Sequence, residues 1–100
     1  MKSPYHPTID QITLAGVLYA LGDPTRLEIV QLLSKQEEQP CNAVSCDLAK
    51  STLSHHYKVL RESGVIYSSK SGTQRLNSLR RDDLEQLFPG LLDAILNQLK

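Results

Sequence analysis

Tryptophan is absent from this 100-residue chain, Phe88 is its one phenylalanine, and four tyrosines complete the aromatics. A core built from it must therefore consist mainly of Leu, Ile, Val and Ala. No apolar run approaches the roughly 20 residues of a membrane span. The N-terminal residues also lack the charged and apolar regions of a signal peptide. A cytoplasmic chain with no membrane partner is expected. Two cysteines, Cys41 and Cys46, are too few for a disulfide framework. In a cytoplasmic setting thiols point to reactive or metal chemistry rather than to a structural bridge. A glycine-rich phosphate loop and metalloprotease spacing are both missing. A cysteine nucleophile would need a nearby base held by a third group. The adjacent histidines, His55 and His56, lie on a helix whose other residues face outward or into the core. No enzyme and no cofactor are expected.

The apolar share of 40% makes the chain globular, and its length suits one domain, residues 1–100, with a single modest core. The net charge of zero hides a segregation. Between Lys50 and Arg81 stand Lys50, Lys58, Arg61, Lys70, Arg75, Arg80 and Arg81 against the single acid Glu62, a net +6, and the rest of the chain carries the compensating −6. One positive third is the electrostatic footprint of a nucleic-acid surface.

That third contains the stretch Ala49 to Gly64. Leu53, Tyr57 and Leu60 recur at i, i+4 and i+7, on one side of a helix. The other side carries Ser51, Ser54, His55, Lys58 and Arg61, all able to donate into a DNA groove. Ser51 is expected to cap the first turn, and Gly64 to close the helix in the left-handed conformation. His56 falls on the buried side with Leu53 and Tyr57, which favours a core role. An ordinary amphipathic surface helix would show the same pattern, so the flanking segments decide between the two.

Met1 to Pro7 reads as a loose arm. From Thr8 or Asp10 to Leu21, Ile9, Ile12, Leu14, Ala15, Val17, Leu18 and Leu21 make a helix apolar on more than one side, which implies a partner for its second face. Asp23 and Pro24 stop it and start a second helix, with Leu27, Ile29, Val30, Leu32 and Leu33 inward. Lys35 to Pro40 is a polar loop. Cys41 to Cys46 is short and weakly amphipathic, and a tight connection from it into the Ala49–Gly64 helix makes a helix-turn-helix. Beyond Gly64 the period becomes two. Residues 65–79 form a β-hairpin, with Val65-Ile66-Tyr67 as one strand, Ser68 to Thr73 as the turn, and Leu76 and Leu79 alternating with polar residues in the other. Residues 80–100 are helical and Leu-rich, and Pro89-Gly90 breaks them.

The runs Leu21-Gly22-Asp23-Pro24-Thr25-Arg26-Leu27, Ser51-Thr52-Leu53-Ser54-His55-His56 and Leu60-Arg61-Glu62-Ser63-Gly64-Val65-Ile66, in this order, resemble the ArsR/SmtB family of winged helix-turn-helix repressors. The resemblance covers Ile12 to Leu96. It implies a mainly α fold with a small β-hairpin wing. It further implies a homodimer that sits on an operator in double-stranded DNA and leaves when an inducer binds. The apolar first helix and the Leu-rich residues 80–100 are expected to join the two copies, and two recognition helices about a two-fold axis call for an imperfect palindromic operator. By the same resemblance, Lys50, Ser51, Thr52, Ser54 and His55 read DNA. Ser51 and Thr52 would hold phosphates, while Ser54 and His55 reach base edges. Lys58 and Arg61 would reach the backbone, and Lys70, Thr73 and Arg75 belong to the wing over the minor groove. Family members often have Ser where this chain has Ala49.

Metal-sensing members carry a C-x-C pair before the recognition helix, which this chain lacks. Cys46-Asp47-Leu48 resembles the end of that motif but lies closer to Ser51-Thr52. Others use Asp, His and Glu on the last helix, yet Asp82 to Lys100 contains no histidine, so a zinc site there is not expected and no metal ligands are assigned. Cys41 and Cys46 remain as packing residues or as a redox-active pair. Cys41, after Pro40 at an expected helix start, is the better thiolate candidate. Five residues of helix rise about 7.5 Å, beyond the roughly 7 Å Cα separation that a disulfide allows. Bridging would require local unwinding just ahead of the recognition helix. Thiol oxidation is thus the first expectation for the inducer, a soft metal or metalloid on the same thiolates the second, and constitutive repression the third.

Overall fold

Two threonines compete to start the first helix, and each wins a separate element. In the computed structural model, which describes residues 5–35, 39–40, 49–72 and 74–99, Ile9–Gln11 form a lone 3₁₀ turn. The Thr8 N–H donates to Gln11 Oε1 at 2.9 Å there. Ile12 and Thr13 are extended, and the Thr13 hydroxyl then accepts the Gly16 N–H at 3.0 Å. Helix α1 therefore spans Leu14–Leu21, later than the expected start at Thr8 or Asp10. Helix α2, Pro24–Lys35, begins as its sequence indicates, with Asp23 Oδ2 accepting the Arg26 N–H at 3.1 Å.

Strand β1, Gln39–Pro40, occupies the end of the segment expected to be only a polar loop. Helix α3 spans Lys50–Glu62, β2 Ile66–Ser71 and β3 Gln74–Leu79. The sheet is antiparallel in the order β1-β3-β2, so a short third strand is added to the hairpin. The hairpin pairs from Ile66↔Leu79 out to Ser71↔Gln74, and Gly72 takes a φ of +64° beside it. The turn is thus shorter than the expected Ser68–Thr73. The inward phase also differs. Leu76 and Leu79 are separated by an odd number and cannot share a face. The structure buries Asn77 completely and sets its Oδ1 to accept the Ser68 hydroxyl at 2.6 Å.

Helices α4, Arg81–Leu87, and α5, Leu91–Asn97, are separated at Pro89-Gly90, where Gly90 has a φ of +82°. The core joins Val17, Ala20 and Leu21 of α1, Ile29, Val30 and Leu33 of α2, Tyr57 and Leu60 of α3, Val65 and Ile66, Leu84 and Leu92. On α1, Leu14, Leu18 and Tyr19 stay exposed while Val17, Ala20 and Leu21 are buried, so among the described residues only one of its apolar faces is covered. Among the described residues no helix is long and apolar enough to cross a membrane. Cys41, Cys46 and Thr73 lie outside the described residues.

Candidate nucleic-acid interface

Helix α3 divides lengthwise as its period requires. Tyr57 and Leu60 are buried and Leu53 and Val59 pack half-buried against the core, whereas Lys50, Ser51, Thr52, Ser54, His55 and Lys58 are all exposed. Six of the seven α3 residues singled out in the sequence thus share the outer side of one helix. The seventh, Arg61, is half-buried, and its Nε donates to the Tyr5 carbonyl at 3.2 Å.

The cap of α3 lies two residues ahead of the expected Ser51. Ala49 is the N-cap and offers no side-chain acceptor, so Ser51 lies inside the first turn and is not the cap. The first intrahelical bond runs from the Leu53 N–H to the Ala49 carbonyl at 3.0 Å. The N–H groups ahead of it, on Lys50, Ser51 and Thr52, have no intrahelical acceptor. These amides sit among two hydroxyls and a lysine at the positive end of a helix dipole, an environment that suits a phosphate.

The far end of α3 is closed tightly. The Gly64 N–H donates to Arg61 O at 3.1 Å and the Val65 N–H to Leu60 O at 3.0 Å, the paired bonds of a Schellman C-cap. Gly64 has a φ of +89°, and a Cβ at this position would overlap the Ile12 side chain. Glycine is required here by both backbone and space.

Between the two ends stands a cluster that hydropathy does not reveal. Arg26 is only 8% exposed. Its Nε donates to Ala20 O at 2.6 Å and Nη2 to Tyr19 O at 3.4 Å, satisfying carbonyls at the end of α1. Nη1 lies 3.1 Å from His56 Nδ1, which makes that ring nitrogen the acceptor. His56 is thus inward, as expected, but it serves as a polar partner and not as an apolar filler. Asp23 Oδ2 is 3.8 Å from the same nitrogen. The Asp23 carboxyl is held below its ordinary range, first by the Arg26 amide it accepts, against an opposing effect of burial, and also by the Arg26 charge. No local signal marked Arg26, because it is a charge at a position where the helical pattern expects solvent.

In the wing, the register sets Lys70 opposite Arg75, one pair in from the Ser71↔Gln74 end of the ladder. Arg80 and Arg81 are tied to the protein itself. Arg80 Nε pairs with Asp83 Oδ2 at 3.0 Å, and Arg81 Nη2 donates to Ser34 O at 2.7 Å. The positive third therefore includes exposed cations on α3, Lys50 and Lys58, and cations that hold the scaffold. Among the described residues, no group of three or more His, Cys, Asp or Glu side chains is placed to hold a metal.

Comparison with known proteins agrees with this geometry. A family model described as bacterial regulatory protein, arsR family, matches residues 23–68. The uncharacterised HTH-type transcriptional regulator YceK of Bacillus subtilis is 36% identical over 89 residues, 86% of this chain and 88% of its own. The arsenical resistance operon repressor of Staphylococcus xylosus is 33% identical over 79 residues, 78% of this chain and 76% of its own. Among solved structures, the transcriptional repressor BigR from Xylella fastidiosa superposes with a TM-score of 0.66 at 26% identity, covering 87% of this chain and 86% of that one.

Proposed function

The chain belongs to the arsR family of bacterial regulatory proteins, DNA-binding winged helix-turn-helix repressors that are not enzymes, and from that premise we propose how it meets its operator and its inducer. The outer side of α3 enters a major groove. Lys50, Ser51 and Thr52 with their first-turn amides hold phosphates, Ser54 and His55 read base edges, and Lys58 reaches the backbone. Residues 70–75 of the wing, including Lys70, Thr73 and Arg75, lie over the adjoining minor groove. The observation that carries this reading is the co-exposure of six polar residues on α3 while its apolar side is buried. The unused apolar face of α1, Leu14, Leu18 and Tyr19, and the half-buried Leu91, Ile95 and Leu96 of α5 support a homodimer through these helices. Leu92 of the same helix belongs to the chain's own core at 6% exposure. Two recognition helices then meet successive grooves of an imperfect palindrome, with half-sites about 10 bp apart or a multiple of it.

The inducer acts on Cys41 and Cys46 by oxidation to a disulfide. Strand β1 favours coupling to DNA, because it ends at Pro40, immediately before Cys41, and pairs with Leu76 of the wing. A second reading has a specific ground. Two staphylococcal relatives are named as arsenical resistance operon repressors, which favours a soft metalloid on the same thiolates. One titration of duplex DNA tests the set. Affinity is expected to fall steeply with salt as condensed counterions are released. Peroxide should release wild-type protein and dithiothreitol restore it, while Cys41→Ser and Cys46→Ser stay bound. Release by arsenite but not by peroxide would favour the metalloid reading. Binding unaffected by either would leave a constitutive repressor.

A further inference from the structure

The segment read from sequence as a loose arm is, over Tyr5 to Pro7, fastened at three points. Arg61 Nε of α3 donates to Tyr5 O at 3.2 Å, the Ser68 N–H of β2 donates to His6 Nε2 at 2.9 Å, and Arg80 Nη1 donates to Pro7 O at 2.9 Å. Pro7 is buried, and the His6 ring stacks on Tyr67 with centroids 4.4 Å apart and planes 21° from parallel. The three donors come from the recognition helix, the wing's outer strand and the boundary between the wing and α4. In the order β1-β3-β2, β2 is an edge, and an edge strand presents N–H groups that no neighbouring strand takes up. His6 takes the one at Ser68.

We propose that His6 is a positioning residue for DNA recognition: through Ser68 and Tyr67 it seats the arm as a clasp that fixes the wing relative to α3. This rests on the reading above that α3 and the wing grip DNA together. The clasp depends on protonation by geometry. A backbone N–H can only donate, so Nε2 must be the unprotonated acceptor of a neutral ring. Proton uptake at Nε2 converts the acceptor to a donor and sets N–H against N–H. Among the described residues, charged groups that meet the arm include Arg61 from α3 and Arg80 from the β3–α4 boundary, the latter paired with Asp83. From β2 it meets the phenol of Tyr67. As pH falls and the ring takes up a proton, the clasp opens and the wing loses its fixed angle.

The test uses the full chain, a duplex that wild type binds, and His6→Ala, His6→Gln and Lys58→Ala. Gln can present an amide oxygen near the place of Nε2 and does not titrate. At pH 8, His6→Ala should bind about fivefold more weakly, the size of one net hydrogen bond, and His6→Gln should restore most of it. Between pH 8 and about pH 5.5 the wild-type affinity should fall relative to His6→Gln. Taking that ratio cancels every pH dependence that the two proteins share. Independently of DNA, the Ser68 amide resonance of wild type should titrate over the same range, and its solvent exchange should quicken at low pH, whereas His6→Gln shows neither. A flat ratio, a Ser68 amide indifferent to pH, or equal or tighter binding by His6→Ala would each overturn the clasp. If Lys58→Ala weakens binding while the His6 variants do not, the clasp alone fails. If neither changes binding, the DNA interface itself is wrong.

Discussion

The two ends of α3 are built to opposite specifications. The front has an alanine cap without a side-chain acceptor, three exposed residues in its first turn and apolar contact only from the half-buried Leu53 onward. The back has Tyr57 and Leu60 in the core, a doubly bonded C-cap, Gly64 pressed on Ile12, the Ser63 hydroxyl on Leu60 O at 2.9 Å, and Arg61 tied to the arm. A helix held at one end and left open at the other can offer its first-turn amides and hydroxyls to a ligand without losing its place in the fold. Stability and recognition are thereby assigned to different turns of one element, and substitutions should separate them.

The largest effect should come from the back. Leu60 is fully buried, and Leu60→Ala removes its contacts and leaves a cavity, for a loss of roughly 3 kcal/mol. Gly64→Ala should follow, at about 2 kcal/mol or somewhat more, since it adds left-handed strain to the overlap with Ile12. In a domain of this size each kilocalorie moves the melting point by about 4–8 °C, so thermal unfolding reads both. A melting point within about 2 °C of wild type for Gly64→Ala would mean that Ile12 yields freely and that the back is not fixed as described.

The front should answer differently. Lys58→Ala changes an exposed side chain and should leave melting unchanged to within about 0.5 kcal/mol. It should weaken binding to all duplexes alike and lower the salt slope by about one phosphate contact. Equal salt slopes for wild type and variant would place Lys58 off the backbone.

What could be read in advance follows the same division. The recognition helix, its glycine stop, the Asp23-Pro24 start of α2 and the Pro89-Gly90 break all rest on local chemistry: period, cap and turn residue. What escaped was long-range or polar. The clasp joins His6 to Ser68 and Pro7 to Arg80, pairs more than 60 positions apart, and nothing in a seven-residue arm announces its partners. Arg26, Asn77 and Ser68 are buried where a hydropathy pattern predicts exposure, because each finds a hydrogen-bond partner that only the assembled fold supplies. Strand β1 is two residues long with a proline, too short for any period. The outer side of α3 was legible because exposure on a helix is a matter of spacing. Arg61 was not, because its carbonyl partner lies on the arm.

The smallest and most discriminating change is Ala49→Ser. A serine at the N-cap lets its hydroxyl accept the N–H of Ser51 or Thr52, supplying at the front the kind of closure that the back already has. Stability should rise by about 0.5–1 kcal/mol, visible as a melting point higher by a few degrees. The same bond occupies an amide proposed to receive a phosphate, so DNA affinity should fall by about twofold even as the fold strengthens. Opposite signs in the two measurements are what separate ends predict. If affinity held or rose with stability, the phosphate would be held by the side chains of Lys50, Ser51 and Thr52 and not by the helix end. The open front would then serve only to keep α3 slender where it enters the groove.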